Sequence, residues 1–221
     1  MNSWIDADLV LITLTSLVLL GASRLGTSIR MVALQGVLLS PLPLLLAGQS
    51  GFGPRAAMLA VATVLIKGLG FPWLMARAVR GGSQRREMDP RVGYNASLLA
   101  GVLLMVVAFL LSSRLPLPPG EGTPLVLPVA LFNILAGMFV IASRRQAITQ
   151  VLGYLAMENG IYVFGVGIAS HQPLLVELGI LLDVFAAVFV MGIVIFHMGR
   201  ELDHTDTDRM TLLNDWQKEK E

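Results

Sequence analysis

The sequence predicts an all-α, polytopic membrane protein of about seven transmembrane helices. Hydrophobic residues make up 55% of the chain, charged residues make up 14%, and the mean hydropathy is +0.72. Because a soluble domain carries about 25% charged residues, nearly the whole chain is expected to lie in a bilayer. Seven spans of about 20 residues fit into this length with short loops between them.

Seven apolar segments carry this prediction. They cover residues 8–23, 29–47, 55–76, 94–112, 124–142, 147–169 and 173–199. The first follows an acidic start and has no basic residue before it, so it is expected to be a retained helix and not a cleaved signal peptide. Residues 200–221 are polar and are expected to form a short surface helix or a loose tail.

The basic residues alternate between the two sides of the predicted helices. Thirteen of the 16 lie after segments one, three and five or in the tail. They are Arg24, Arg30, Arg77, Arg80, Arg85, Arg86, Arg91, Arg144, Arg145, Arg200, Arg209, Lys218 and Lys220. The other side has only Arg55 and Arg114. Since cytoplasmic loops are enriched in Lys and Arg, the N-terminus is predicted outside, and the C-terminus in the cytoplasm, of the cytoplasmic (inner) membrane.

Prolines interrupt two of the segments. Pro41 and Pro43 lie in the second segment, and Pro72 lies in the third. A proline in a membrane helix leaves a carbonyl one turn earlier without its usual partner, which for Pro72 is the carbonyl of Gly68. These positions predict kinks.

Ionisable residues within the spans are the strongest functional signal. At a rise of about 1.5 Å per residue, Lys67 lies about 18 Å from the outer end of its helix near Arg55. Glu158 lies about 17 Å from the inner end of its helix, and Asp183 lies about 15 Å from the outer end of its own. All three therefore fall near the middle of a hydrocarbon core about 30 Å thick. Glu177 lies about one turn from the end of the same helix as Asp183. Because ionised groups in a membrane are costly, these residues are predicted to face one hydrated interior and to handle protons.

Two tyrosines accompany the first acid. Tyr154, Glu158 and Tyr162 recur at four-residue spacing, so they share one face of the sixth helix. The phenols relay protons or simply satisfy hydrogen bonds. In the fifth segment, Asn133 and Gly137 are typical of close helix contact. The alternative for the whole set is a buried ion pair or hydrogen-bonded plug that fixes the register of the helices, and Glu177 could also be merely solvated.

The residue types present argue against a catalytic, cofactor or metal site in this chain. There is no cysteine, which rules out disulfides, iron–sulfur clusters and thiolate nickel sites built from this chain. His171 and His197 lie at opposite ends of the last span and His204 lies in the tail, so they do not form a haem ligand pair. We therefore expect no catalytic residues, no cofactor and no metal in this chain.

The C-terminal half carries a family resemblance. GYLAMENGIYVFG followed by ELGILLDVFAAVFVMGI resembles the component E subunits of formate-hydrogenlyase-type, group four membrane hydrogenases (hydrogenase-4 component E, HyfE-like proteins). The region is also similar to NuoK of respiratory complex I and to MrpC of multisubunit sodium/proton antiporters. The resemblance implies a four-helix region at 1–123, a NuoK/MrpC-like three-helix region at 124–199 and the tail. It matches Glu158 to the first membrane glutamate of NuoK-like subunits, and Asp183 or Glu177 to the second.

The family implies an integral membrane subunit of an energy-converting, complex-I-like oxidoreductase. Such a subunit would contribute to a proton or sodium path and leave the redox chemistry to its partners. The expected partners are antiporter-like and anchor membrane subunits, the lipid bilayer, and protons or sodium ions, with no nucleic acid. The alternatives are a structural membrane scaffold and a subunit of a multisubunit cation/proton antiporter.

Overall fold

A computed structural model describes residues 2–47, 54–80, 92–115 and 123–168, together with residue 192. These residues are all helical apart from their connections. The predicted segment 173–199, with Glu177 and Asp183, lies outside the described residues, as do the tail and the loop that contains Arg85, Arg86 and Arg91.

The helices follow the predicted segments in order. They are α1 (Asn2–Gly21), α2 (Leu25–Leu39), α3 (Leu42–Ala47), α4 (Pro54–Thr63), a π-helix (Val64–Gly70), α5 (Phe71–Arg80), α6 (Tyr94–Ser112), α7 (Val126–Ser143) and α8 (Ala147–Ile168). Within the described residues, five stretches are long and apolar enough to cross a membrane: Ser3–Gly21, Leu25–Leu46, Ala60–Arg77, Tyr94–Ser112 and Val126–Ser143. The prediction of an all-α chain with several candidate membrane-spanning helices is therefore confirmed for the described residues. The count of seven and the orientation stay predictions.

The prolines act where the sequence predicts, in two different ways. At Pro41 the second span stops being helical, so α2 ends at Leu39 and α3 begins at Leu42. Before Pro72 the chain stays helical but widens, and the N–H of Phe71 donates to the carbonyl of Ile66 across five residues. A π-turn of this kind accommodates a ring that has no N–H to give. It also places Lys67 in an irregular part of the helix, which is common at functional sites.

Helices α7 and α8 form an antiparallel pair in backbone contact. A Cβ at Gly153 would lie 3.0 Å from the carbonyl oxygen of Gly137, and one at Gly160 would lie 2.8 Å from that of Ala130. Gly167 lies against Val126. Three glycines of α8 thus recur every seven residues and let the two backbones approach closely, as small residues do in membranes.

Three apolar clusters hold the described helices together. The Leu19 cluster contains Leu19, Leu25, Val32, Phe71, Met75, Ile148, Val151, Leu152, Leu155 and Ala156. The Leu9 cluster contains Ile5, Leu9, Ile12, Leu39, Leu42, Val126, Val129, Ala130, Val163 and Val166. The Leu20 cluster, formed by α1, α6 and α7, contains Leu20, Ala108, Phe132, Ala136 and Val140.

The first two clusters occupy opposite halves of the protein. Along α1 the chain passes from Ile12 of the Leu9 cluster to Leu19 of the Leu19 cluster. Along α8 it passes the other way, from Ala156 to Val163. The residues between these positions therefore lie at the middle of the helix bundle, at one depth.

Candidate functional site

A layer of buried polar side chains separates the Leu19 cluster from the Leu9 cluster. It contains Ser16 of α1, Gln35 of α2, Thr63 of α4, Lys67 of the π-helix, Asn133 of α7, and Glu158, Asn159 and Tyr162 of α8. Every member except Tyr162 is at most 4% exposed. Polar groups buried to this extent are costly unless they bond to one another, and here they do.

Lys67 and Glu158 form an ion pair at the centre of the layer. The Lys67 Nζ lies 3.2 Å from Glu158 Oε1, and the side chains are 4% and 2% exposed, respectively. The same ammonium lies 3.4 Å from Asn159 Oδ1 and 5.1 Å from the centre of the Tyr162 ring. The sequence predicted that Lys67 and Glu158 share one interior, and the structure brings them into direct contact.

Close backbone packing sets the position of Lys67. A Cβ at Gly36 would lie 2.5 Å from the carbonyl carbon of Lys67, so α2 and the π-helix touch with no side chain between them. Gly68 lies in the same contact, against Val37. The next residue before Gly36 is Gln35, which is therefore brought to the same depth as Lys67.

A chain of hydrogen bonds runs from Lys67 across the protein. Asn159 Nδ2 donates to Gln35 Oε1 at 3.1 Å, and Gln35 Nε2 donates to Ser16 Oγ at 2.7 Å. Ser16 Oγ donates to Asn133 Oδ1, and Asn133 Nδ2 donates to the carbonyl of Val129 at 2.8 Å. Four neutral side chains thus connect the ammonium to the backbone of α7. We call them the amide chain.

The polar layer also holds two hydroxyl groups and one carboxylate oxygen without a hydrogen-bond partner. Thr63 Oγ1 and the phenol of Tyr162 are hydrogen-bonded at 2.9 Å. Within the described part of the protein, Glu158 Oε2 is buried and has no hydrogen-bond partner. A buried carboxylate oxygen without a donor is costly, and this oxygen is open to bind a proton.

The two predicted tyrosines occupy different surroundings. Tyr162 belongs to the polar layer, where its phenol bonds Thr63. Tyr154 packs against the Leu19 cluster, one turn from Glu158 on the side away from Tyr162. Asp183 and Glu177 lie outside the described residues, so their part in the site stays a prediction.

Sequence reasoning missed most of the amide chain. Ser16 and Gln35 are single polar residues in the middle of apolar segments, and that isolation was the available signal. Asn133 was interpreted as a helix-contact residue, whereas its side chain is the last member of the amide chain. Asn159 stood beside Glu158 in the sequence but received no role of its own.

Arg144 was also missed, and it lies outside the polar layer. It follows α7 and is 1% exposed. Its Nη2 donates to the carbonyl of Leu20 at 2.8 Å, and its guanidinium lies 5.3 Å from the centre of the Tyr94 ring. Burial lowers the pKa of this guanidinium, and Tyr94 acts in the opposite direction. Arg144 thereby fastens the end of α7 to the end of α1 and the start of α6.

In the described ranges no group of three His, Cys, Asp or Glu residues is arranged to hold a metal ion. The site therefore consists of one ion pair, hydroxyls and amides. It can bind, orient or exchange a cation or a proton, and it has the buried ion pair and polar contacts of an intramembrane path or of a hydrogen-bonded plug.

The sequence is similar along nearly its whole length to a mycobacterial protein. It is 32% identical over 206 residues to the "Uncharacterized protein Rv0085" of Mycobacterium tuberculosis, covering 92% of this chain and 93% of that one. The chain belongs to the family of this protein. No family model and no solved structure matches the sequence.

A shorter match connects the chain to a hydrogenase subunit. It is 34% identical over 117 residues to "Hydrogenase-4 component E" of Escherichia coli K12, covering 53% of this chain and 54% of that protein. The component E of Shigella flexneri matches to the same extent. This chain is thus related to hydrogenase-4 component E over about half of its length, which supports that part of the resemblance found in the sequence. The similarity to NuoK and MrpC stays a prediction.

Proposed function

We propose that this chain is a membrane subunit of a hydrogenase-type, energy-converting complex, and that its polar layer forms part of a proton or sodium path. The observation that carries the proposal is the buried Lys67–Glu158 ion pair at the middle of the bundle. Its support comes from the relation to hydrogenase-4 component E and from the five apolar helices. The redox reaction would belong to partner subunits.

The geometry gives each residue of the site a role in this proposal. Glu158 is the ion-carrying group, because its Oε2 is the buried acceptor left open. Lys67 modulates it from 3.2 Å away. Asp183 is the proposed relay and Glu177 the second candidate, while Tyr162 lies beside Lys67 and bonds Thr63. The antiporter-like and anchor subunits expected from the resemblance would continue the path.

A structural scaffold is the second candidate. The amide chain favours it, because bonds between four helices fix their relative register whether or not an ion moves. The contact of Gly160 with α7 also favours a scaffold, since it closes the space between two of the helices.

The experiment compares two replacements of Glu158 in the complete complex. Glu158→Gln keeps the shape and removes the exchangeable proton, so the complex should assemble while coupled ion translocation falls. Glu158→Leu also removes the polar contact with Lys67. If Glu158→Gln translocates ions normally and Glu158→Leu prevents assembly, the carboxylate is structural and the scaffold interpretation is correct.

A further inference from the structure

The Lys67 ammonium lies where two oxygen atoms of the site converge. A hard cation in a protein is surrounded by oxygen ligands such as carboxylate and amide oxygens. Here Glu158 Oε1 and Asn159 Oδ1 both point at one centre, and the Lys67 ammonium is at that centre, 3.2 and 3.4 Å away. The centre of the Tyr162 ring, whose face attracts cations, lies 5.1 Å from the same ammonium.

The amide chain fixes which atom of Asn159 faces Lys67. At one end Lys67 is an ammonium, which only donates hydrogen bonds. At the other end the Val129 carbonyl only accepts, so Asn133 must turn its Nδ2 toward it and its Oδ1 toward Ser16. The direction of each following bond is then determined, through Ser16 and Gln35 to Asn159. Asn159 Oδ1 is therefore held toward Lys67 from both ends of the chain.

Among the described residues, this arrangement gives Lys67 two acceptors of different character. One is the ionisable Glu158, and the other is the neutral Asn159. When a proton binds Glu158 Oε2 and the carboxylate becomes a neutral carboxyl group, Lys67 keeps the amide oxygen as an acceptor. When the proton leaves for water or for the next group on the path, the ion pair forms again. The ammonium stays in place throughout the exchange.

We propose that the site exchanges protons and excludes sodium ions, because Lys67, held by the amide chain, is its resident cation. A proton needs one open oxygen, and Glu158 Oε2 supplies it. A sodium ion needs several oxygens, and it would have to approach an ammonium that already uses two of them. The inference rests on the proposed function and names the ion that the path would carry.

The test measures the reaction of Glu158 with a hydrophobic carbodiimide, which modifies protonated carboxyl groups in membranes. Membranes that contain the full chain with its partner subunits are treated in NaCl or in KCl of equal concentration. The modification of Glu158 is followed by mass spectrometry, with Glu158→Gln as the blank. A bound sodium ion would displace the proton and protect the carboxylate.

We expect the wild-type rate to be the same in both salts. In Lys67→Met the resident cation is removed while Asn159 Oδ1 stays directed at the centre, so labelling should become several-fold slower in NaCl than in KCl. Adding Asn159→Leu to Lys67→Met should abolish that protection. If Lys67→Met fails to accumulate, Lys67→Gln takes its place, and its labelling should likewise be several-fold slower in NaCl than in KCl. If neither variant accumulates, the labelling rates of wild-type Glu158 in NaCl and in KCl decide whether the site excludes sodium.

Three results would overturn the inference: protection of the wild type by NaCl, no protection in an assembled Lys67→Met variant, or no labelling of Glu158 at all. Failure of the proposed function gives a different result, namely normal ion translocation by Glu158→Gln. Sodium protection of the wild type would leave the proposed path in place and change only the ion that it carries.

Discussion

The backbone of Gly36 lies directly against the backbone of Lys67. A Cβ at position 36 would come within 2.6 Å of the Lys67 carbonyl oxygen, closer than a methyl group can approach. The glycine therefore sets the spacing of α2 and the π-helix. It also sets how far Gln35 lies from the ion pair.

Gly36→Ala should destabilise the protein and separate the two helices. Adding one methyl group at a closed backbone contact costs about 1–3 kcal/mol. The matched control is Gly26→Ala, in the same helix, because a Cβ at Gly26 has nothing within 4 Å. Thermal unfolding of the complex in detergent should show a lower midpoint for Gly36→Ala and an unchanged or higher one for Gly26→Ala. Equal midpoints for the two variants would contradict the contact.

Breaking the ion pair on one side should cost more than removing both partners. Lys67→Met leaves the Glu158 carboxylate buried without its ammonium, a loss of about 3–5 kcal/mol for typical buried pairs. The double variant Lys67→Met/Glu158→Leu has neither charge and should recover most of that loss. Unfolding of the two single variants and the double variant forms a double-mutant cycle. Additive losses would mean that the two side chains are not coupled.

Ser16→Ala tests the amide chain away from the ion pair. Without the hydroxyl, the Gln35 amide and the Asn133 oxygen each lose a buried partner, at about 1–3 kcal/mol per unsatisfied group. Thr15→Val is the control, because Thr15 is also buried but its hydroxyl donates only to the carbonyl of Ile12 in its own helix. Hydrogen exchange of the α2 and α8 backbones should rise in Ser16→Ala alone. A similar rise in both variants would assign the effect to α1 itself.

The glycines of α8 allow a direct comparison within one helix. Gly160→Ala places a methyl group 2.7 Å from the backbone nitrogen of Ile134, so α7 and α8 must move apart. Gly165→Ala is the control, since nothing lies within 4 Å of a Cβ there. We expect Gly160→Ala to lower the amount of assembled complex recovered from membranes, and Gly165→Ala to leave it unchanged. Recovery of both at the wild-type level would be inconsistent with the backbone contact.

Two adjacent arginines should respond differently to the same change. Arg144→Lys loses the planar guanidinium that bonds Leu20 and stacks on Tyr94, and lysine does not reproduce that geometry. Arg145 is exposed, so Arg145→Lys should change stability by no more than about 0.5 kcal/mol. The measurement is the thermal midpoint of each purified complex. A midpoint for Arg145→Lys as low as that for Arg144→Lys would show that Arg144 has no special role.

Much of the fold follows from the sequence because lipid imposes simple rules. A span needs about 20 apolar residues, and every backbone group must be bonded within it. The apolar runs therefore predicted α6, α7 and α8 closely, whereas α1 begins at Asn2, before the predicted start at residue 8, and α2 ends at Leu39, before the predicted end at residue 47. The position of Lys67 and Glu158 at one depth also followed, since depth is set by counting residues along a helix.

The sequence by itself therefore determined how deep in the membrane each polar residue lies. Only the tertiary structure decided which side chains meet at that depth. The rotation of each helix depends on contacts such as Gly36 with Lys67, which no single segment specifies. The sequence put Ser16, Gln35 and Asn133 in separate apolar runs, with no sign that they bond one another. The packing of four helices joined them, because a buried polar group is tolerated only where a neighbour supplies its hydrogen bond.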